Sequence, residues 1–264
     1  MGIILRQNTD ANNFLDAAGI TRTQINAPIV VAISQLTSDL KQYGVWDKMK
    51  AVYPMVGQAG VSSSFQFNLK NPNTFKGTFT GGWTFSSTGA KPDGSTGYMN
   101  TGFAPSGNLT NNSVNITFYS RTNSNEDTYA MGFLGNSSYG MTGMNIGRTN
   151  FVGYSNMNSY FPYLQVTTTT TSLGFFQFSR TTNTRAVAFQ NSSSIGTLSD
   201  TTNADITLLN VPLFIGGRNS NGTPNGFSSY ECAFASIGDG LTDTEAINLS
   251  TAIQRFQTTL GRQV

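Results

Sequence analysis

The sequence predicts an all-β fold, an antiparallel β-sandwich or jelly roll with short N-terminal helices and a C-terminal amphipathic helix. Three observations carry this. Between Lys50 and Ile237 short runs alternate with period two, and clusters of Gly, Asn, Ser and Pro separate them. Before and after that stretch the apolar period changes to that of a helix. Charged residues make up only 11% of the chain, so polarity comes from Asn, Ser, Thr and Gly, which favour strands, turns and hydrogen-bonded loops.

Taken in order, Asp10 is placed to cap a short helix through Phe14 and Ala18, closed by Gly19. Ala27-Pro28 suits the first turn of a second helix, because proline needs no N–H there. Ile29, Ile33, Leu36, Leu40 and Tyr43 form its apolar stripe, and Gly44 stops it. The stripe can pack on the sandwich, on the other terminal helix or on a neighbouring subunit. Strands are expected at Met49–Tyr53, Ser64–Leu69, Thr78–Thr80, Val114–Tyr119, Phe175–Phe178, Ala186–Phe189 and Val211–Ile215. The threonine run 167–171 reads as a β-branched strand or its edge. In the last strand Cys232, Phe234 and Ser236 alternate with Ala233, Ala235 and Ile237, and Gly238-Asp239-Gly240 breaks it. Thr242 and Glu245 have capping-box spacing, Ala246, Leu249, Ile253, Phe256 and Leu260 make the helix stripe, and Gly261 can close it.

A chain of 264 residues holds one large all-β domain or two small ones. No internal repeat or charged linker divides it, so the economical division is a helical docking segment, 1–45, and a sandwich, 46–264, that includes the helix 242–260. The formal net charge is +2 and the 15 Lys and Arg are scattered, which argues against nucleic-acid binding. No apolar run has the length of a membrane span, and the N-terminus lacks the basic-then-apolar layout of a signal peptide. Cys232 is the only cysteine, so no internal disulfide forms, and its strand context suggests a small buried hydrophobe. Sequons at Asn115, Asn136 and Asn191 are discounted in a sequence this rich in Asn, Ser and Thr.

Three blocks resemble the concanavalin A-like lectin/glucanase (laminin-G-like) sandwich as carried by bacteriophage virion proteins. They are F-S-R-T-T-N-T-R-A-V-A-F-Q-N-S-S-S-I-G-T (178–197), L-F-I-G-G-R-N-S-N-G (213–222) and the closing E-C-A-F-A-S-I-G-D-G-L-T-D-T-E (231–245). W-D-K-M-K-A-V-Y-P-M-V-G (46–57) and F-N-L-K-N-P (67–72) are also similar to phage-type members. The resemblance implies two stacked antiparallel sheets, one concave, with rim loops that often bind glycans. It implies neither catalysis nor a cofactor, since fold alone never does.

Glucan-cleaving enzymes of this fold carry E-x-D-x-x-E on one strand face, as nucleophile and acid. Here the glutamates are Glu126, Glu231 and Glu245, and none has that spacing. The absence of histidine removes Ser-His-Asp, Cys-His and His-containing metal sites. Asp239, Asp243 and Glu245 have loose calcium-loop spacing, which turn and cap roles explain as well. Neither a catalytic residue, a cofactor nor a metal ligand is expected. Binding then falls to aromatics and amides. Trp83 reads either as a core aromatic or as a stacking surface for a sugar. Tyr154, Tyr160 and Tyr163 lie in a loop-rich stretch, and Arg218, Asn219 and Asn221 in an expected rim loop.

Two functions are expected. One is a non-enzymatic, self-associating virion protein, a capsid decoration, fibre or tail component partnered by other virion proteins. The other is a carbohydrate-binding module that adsorbs to host-surface glycan. The resemblance places the chain on the virion, assembled in the host cytoplasm.

Overall fold

The computed structural model describes residues 8–58, 60–110, 112–135, 141–147, 151–156, 164–166, 171–182, 184–198 and 208–264. Two helices lead the chain, α1 (Thr9–Ala17) and α2 (Ala27–Gln42). The N-cap of α1 is Asn8, whose side chain accepts from Ala11 N at 3.3 Å. The expected cap, Asp10, sits two residues on, within the first turn, and pairs with Lys41 at 2.5 Å.

The next elements are β1 (Met49–Tyr53), α3 (Ser62–Phe65), β2 (Thr78–Thr80), β3 (Trp83–Ser86), β4 (Gly89–Pro92) and β5 (Tyr98–Asn100). The middle of the chain forms β6 (Val114–Ser120), β7 (Met131–Leu134), β8 (Met141–Ile146), β9 (Phe151–Asn156), β10 (Leu164–Val166), β11 (Gly174–Thr182), β12 (Arg185–Gln190) and β13 (Ser193–Leu198). The remainder is β14 (Phe214–Ile215), β15 (Arg218–Ser220), β16 (Thr223–Asn225), β17 (Cys232–Gly238) and α4 (Asp243–Thr259). No helix among the described residues is long and apolar enough to cross a membrane.

Two sheets form. In the first the order is β13-β12-β11-β6-β17-β4-β3, with β1 also paired to β17. In the second it is β10-β9-β8-β7-β14-β5-β2, with β15 parallel to β7 and β16 paired to β15. Ile116, Phe118, Phe176 and Phe178 of the first sheet meet Met99, Met131, Phe133, Met144 and Ile215 of the second in one buried core. The opposite face of the first sheet carries Tyr119, Phe175, Val187, Phe189 and Phe234, and these bury against a helical layer. That layer supplies Phe14 and Leu15 of α1, Ile33, Leu36 and Leu40 of α2, and Leu249, Ile253 and Phe256 of α4. The apolar stripes of both terminal helices are therefore spent on the sandwich and on one another. The architecture is three-layered: helices, first sheet, second sheet.

Polar side chains under α4 explain why the strands beneath it are not wholly apolar. Gln177 Nε2 donates to Ala246 O at 2.8 Å and Ser250 Oγ at 2.7 Å, and Ser179 Oγ donates to Leu241 O at 2.8 Å. Buried polar groups of this kind cost stability unless paired. The Thr242–Glu245 capping box forms with both of its hydrogen bonds.

Three expectations need correction. Strict alternation in β17 fails, because Cys232 pairs with Ser120 while Phe234 pairs with the adjacent Tyr119. The extra residue makes a bulge, so Ala233 and Phe234 both face the helices while Cys232, Ala235 and Ile237 face the inter-sheet core. The segment expected as the strand Ser64–Leu69 begins instead as the end of α3 and then runs beside β1 without a ladder. Asn68 Oδ1 accepts from Val52 N at 2.8 Å, a side chain standing in for a backbone partner. Of Val211–Ile215, only Phe214 and Ile215 are strand. The threonine run lies outside the described residues up to position 170.

The chain closes on Arg262, which is 1% exposed. It donates to Met55 O (2.9 Å), Pro54 O (2.7 Å), Ala233 O (2.6 Å) and Gln257 Oε1 (2.5 Å), tying the tail to the residues beyond β1 and to β17.

Candidate functional site

The helical layer covers the outer face of the first sheet, so the outer face of the second sheet is where a site can lie. Met99 and Ile215 point into the core. By alternation Tyr98, Asn100 and Phe214 point outward, and the register sets Thr78 beside Asn100 and Thr80 beside Tyr98. Tyr98 stacks on Phe214 at 4.6 Å between centroids and 25° between planes, and Phe227 lies 6.4 Å from Tyr98. Among the described residues the Tyr98 phenol has no hydrogen-bond partner. Both threonines are exposed. Phe214 itself is only 4% exposed, so the half-buried Tyr98 and Phe227 are the aromatics that reach the surface, edged with hydroxyls and an amide.

The same face continues across the sheet in one row, in which Phe214 pairs with Gly132, Gly132 with Gly143 and Gly143 with Tyr154. Gly143, with Gly226 beside the sheet, leaves room for Tyr129. A Cβ at Gly143 would stand 3.3 Å from its Cδ1, and one at Gly226, where φ is +58°, 2.7 Å from its Cδ2. Arg218 lies over this ring, its Cζ 4.4 Å from the centroid, and donates to the Tyr129 phenol oxygen at 2.9 Å and to Asn225 Oδ1 at 3.0 Å. The ring face and the phenol oxygen together hold the guanidinium in place.

The structure thus brings Arg218 and, by register, Tyr154 onto one face; the Tyr154 side chain lies outside the described residues, as do Tyr160 and Tyr163 entirely. Trp83 is half-buried against the inter-sheet core. Its ring contacts Phe79 and Phe85 at 5.0 and 6.1 Å, its Nε1 donates to Thr80 O at 3.1 Å, and it also lines an open cleft with Thr84 and Lys91, so both of its readings have a structural counterpart. Asn219 is 2% exposed, and its amide is consumed by Pro212 O at 2.8 Å and Gly222 N at 2.7 Å. Asn221 is exposed at the tip of the β15–β16 turn with φ +48°. Sequence reasoning missed Tyr98, Tyr129 and Phe227. The one available signal was the alternation Tyr98-Met99-Asn100, in a strand of three residues.

The carboxylates are tied into the structure. Glu126 accepts from Ser229 N (2.9 Å), Ser124 Oγ (2.8 Å), Thr128 Oγ1 (3.2 Å) and the Ser229 hydroxyl. Burial pushes its pKa up, but these bonds together hold it below the usual carboxylate value, the reverse of what a general acid needs. Glu231 accepts from the Thr88 hydroxyl and lies 3.8 Å from Arg121 Nε. Asp239, Asp243 and Glu245 pair with Lys50 (2.9 Å), Arg185 (2.7 Å) and Lys48 (2.6 Å). Among the described residues no group of three or more His, Cys, Asp and Glu is placed to hold a metal ion.

No family model matches the chain, and no curated protein matches it. Solved structures do. A botulinum neurotoxin type C chain, from work describing its entering of cells as dependent on interaction with two ganglioside molecules, superposes with a TM-score of 0.56 at 11% identity. That match covers 81% of this chain and 53% of that one. Domain 4 of AbnA, an extracellular arabinanase from Geobacillus stearothermophilus in complex with arabinotriose, gives 0.45 at 13% identity, covering 77% and 98%. The carbohydrate-binding module (CBM40) of a Ruminococcus gnavus sialidase bound to sialyllactose gives 0.40 at 15% identity, covering 53% and 82%. At such identities the likeness shows the fold, a lectin-like β-sandwich.

Proposed function

We propose that the chain is a non-catalytic carbohydrate-binding module whose ligand lies on the outer face of the second sheet. The observation that carries this is the asymmetry of the sandwich: one outer face is covered by three helices, and the other presents Tyr98, seated on the buried Phe214, beside Thr78, Thr80 and Asn100. A flat aromatic face suits the apolar face of a pyranose, and the hydroxyl and amide groups suit its rim. The neurotoxin with this fold, whose cell entry is dependent upon interaction with two ganglioside molecules, supports the same reading. Glu126 and Glu231 are held as structural acceptors, which supports a role without turnover.

The setting, a virion component displaying many copies to host-surface glycan, is proposed on the sequence blocks 178–197, 213–222 and 231–245. Display in many copies would turn weak sites into useful avidity. The helical segment 1–45 would reach capsid or tail partners through its solvent side, because its apolar stripes are already buried.

The test is retention on a printed panel of neutral and acidic oligosaccharides. Wild type is expected to bind a subset, and Tyr98→Ala to lose at least about tenfold while still unfolding in one cooperative transition. Full retention by Tyr98→Ala would overturn the proposed face.

A further inference from the structure

Two crossovers run side by side over one rim of the sandwich. Residues 93–97 carry the chain from β4 in the first sheet to β5 in the second, and residues 226–231 carry it back from β16 to β17. They touch at Gly94, where an added Cβ would stand 3.3 Å from the Ser229 Cβ. Beside this contact is an open cleft of ≈ 540 Å³, lined by Trp83, Thr84, Lys91, Asp93 and Ser229 among others.

Two side chains in this cleft have complementary hydrogen-bonding chemistry. Asp93 is locked by its own loop: Oδ1 accepts from Ser95 N (2.9 Å), Thr96 N (2.8 Å) and Gly97 N (2.9 Å), and Oδ2 from Thr96 Oγ1 (2.6 Å). The loop is in turn stapled to β3 by Gly82 N donating to Thr96 Oγ1 and Asp93 N to Gly82 O, both at 3.0 Å. The Thr96 hydroxyl and these N–H groups hold the Asp93 pKa well below the usual range, so it is a permanent acceptor with a lone pair left on Oδ2. Lys91 is the reverse case, exposed and without a hydrogen-bond, ion-pair or ring partner among the described residues. It presents three donors.

We infer that this rim cleft is a second saccharide subsite, in which Lys91 donates to sugar oxygens and Asp93 accepts from a sugar hydroxyl. The chemistry selects a neutral polyhydroxylated residue, because the two charges balance and neither sign of ligand is favoured. Ser229 on its wall and Phe227, 6.4 Å from Tyr98, lie two residues apart on one crossover. Lys91 and Thr84, by contrast, alternate with the core-side Ala90 and Phe85 and face the other side of the rim, so a ligand reaching both has to wrap that rim. A ligand filling both is an oligosaccharide rather than one terminal sugar. The inference rests on the carbohydrate-binding reading and extends it to ligand length.

The test compares Lys91→Met with Tyr98→Ala on the panel of neutral and acidic oligosaccharides, printed at two to eight sugars. Lys91 has no structural partner, so its replacement leaves the fold intact. Lys91→Met is expected to lose about tenfold on the longer neutral glycans and nothing on disaccharides, as removing one charged hydrogen bond would. Tyr98→Ala is expected to weaken both lengths. Equal binding of long glycans by Lys91→Met and wild type would overturn the rim subsite and leave the Tyr98 face standing. No retention of any printed glycan by wild type would overturn both.

Discussion

Arg218 lies over the Tyr129 ring with its Cζ 4.4 Å from the centroid, and the same guanidinium donates to the Tyr129 phenol at 2.9 Å. One aromatic therefore supplies both the surface and the anchor for the one basic side chain that the expected rim loop brings to this face. Tyr129 itself rests between Gly143 and Gly226. Gly226→Ala is expected to destabilise by about 2 kcal/mol or more, because the new methyl meets the ring at 2.7 Å and φ is +58°. Urea unfolding checks it, and a change within about 0.5 kcal/mol would contradict the close approach.

Arg262 holds the tail down through three backbone carbonyls and Gln257. Replacing it by Met keeps some of the volume but strands those acceptors in a buried site. The expected loss is about 3–5 kcal/mol, read from the urea midpoint. Loss below about 1 kcal/mol would mean the tail is not an integral part of the core.

Thr242→Ala removes one arm of the capping box at α4 and should cost about 1 kcal/mol. The same measurement with Lys48→Met tests whether the Glu245 carboxylate, bonded to both Thr242 and Lys48, couples the two. Strictly additive losses would contradict a shared partner.

Stability against pH follows from the carboxylates. In Glu126 and Glu245 burial raises the pKa but hydrogen bonds lower it further, and in Asp93 the Thr96 hydroxyl and loop N–H groups lower it. Folded values below unfolded ones mean stability that is in place above the unfolded pKa values, about 4, and lost as pH falls through the folded ones. With no histidine in the chain, stability should be flat between about pH 5 and 7 and fall below about pH 4. A transition midpoint that moves between pH 5 and 7 would contradict this.

The Cys232 thiol is fully buried in β17, and burial pushes its pKa far up. It should react with a thiol reagent only on unfolding, at a rate that follows global opening. Rapid labelling of the native protein would contradict the placement of β17 between two apolar layers.

The parts of the fold legible in the sequence are those where one local rule decides. The Thr242–Glu245 box and the Leu249–Ile253–Phe256 stripe are such cases, as are the β-branched and aromatic runs of β6, β11 and β12. Less legible were strands whose identity depends on neighbours. β8 carries Gly143 because Tyr129 lies close to the sheet, and β7 carries Gly132 because a Cβ there would stand 2.9 Å from the Gly143 Cα; no periodicity announces either. Ser64–Leu69 alternates like a strand, yet Asn68 takes the place of a ladder bond. The candidate face was read only at Arg218 and the Tyr154 position. Tyr98 and Phe227 reach it from a three-residue strand and a crossover, and their meeting is set by topology rather than by spacing.

The most direct test of the binding face is hydrogen exchange with and without the best-retained oligosaccharide from the printed panel. Protection is predicted at residues 78–80, 98–100 and 214–218, on the open sheet and its rim. Protection confined to α1, α2 and α4, with those segments unchanged, would contradict the account and move the site to the helical side.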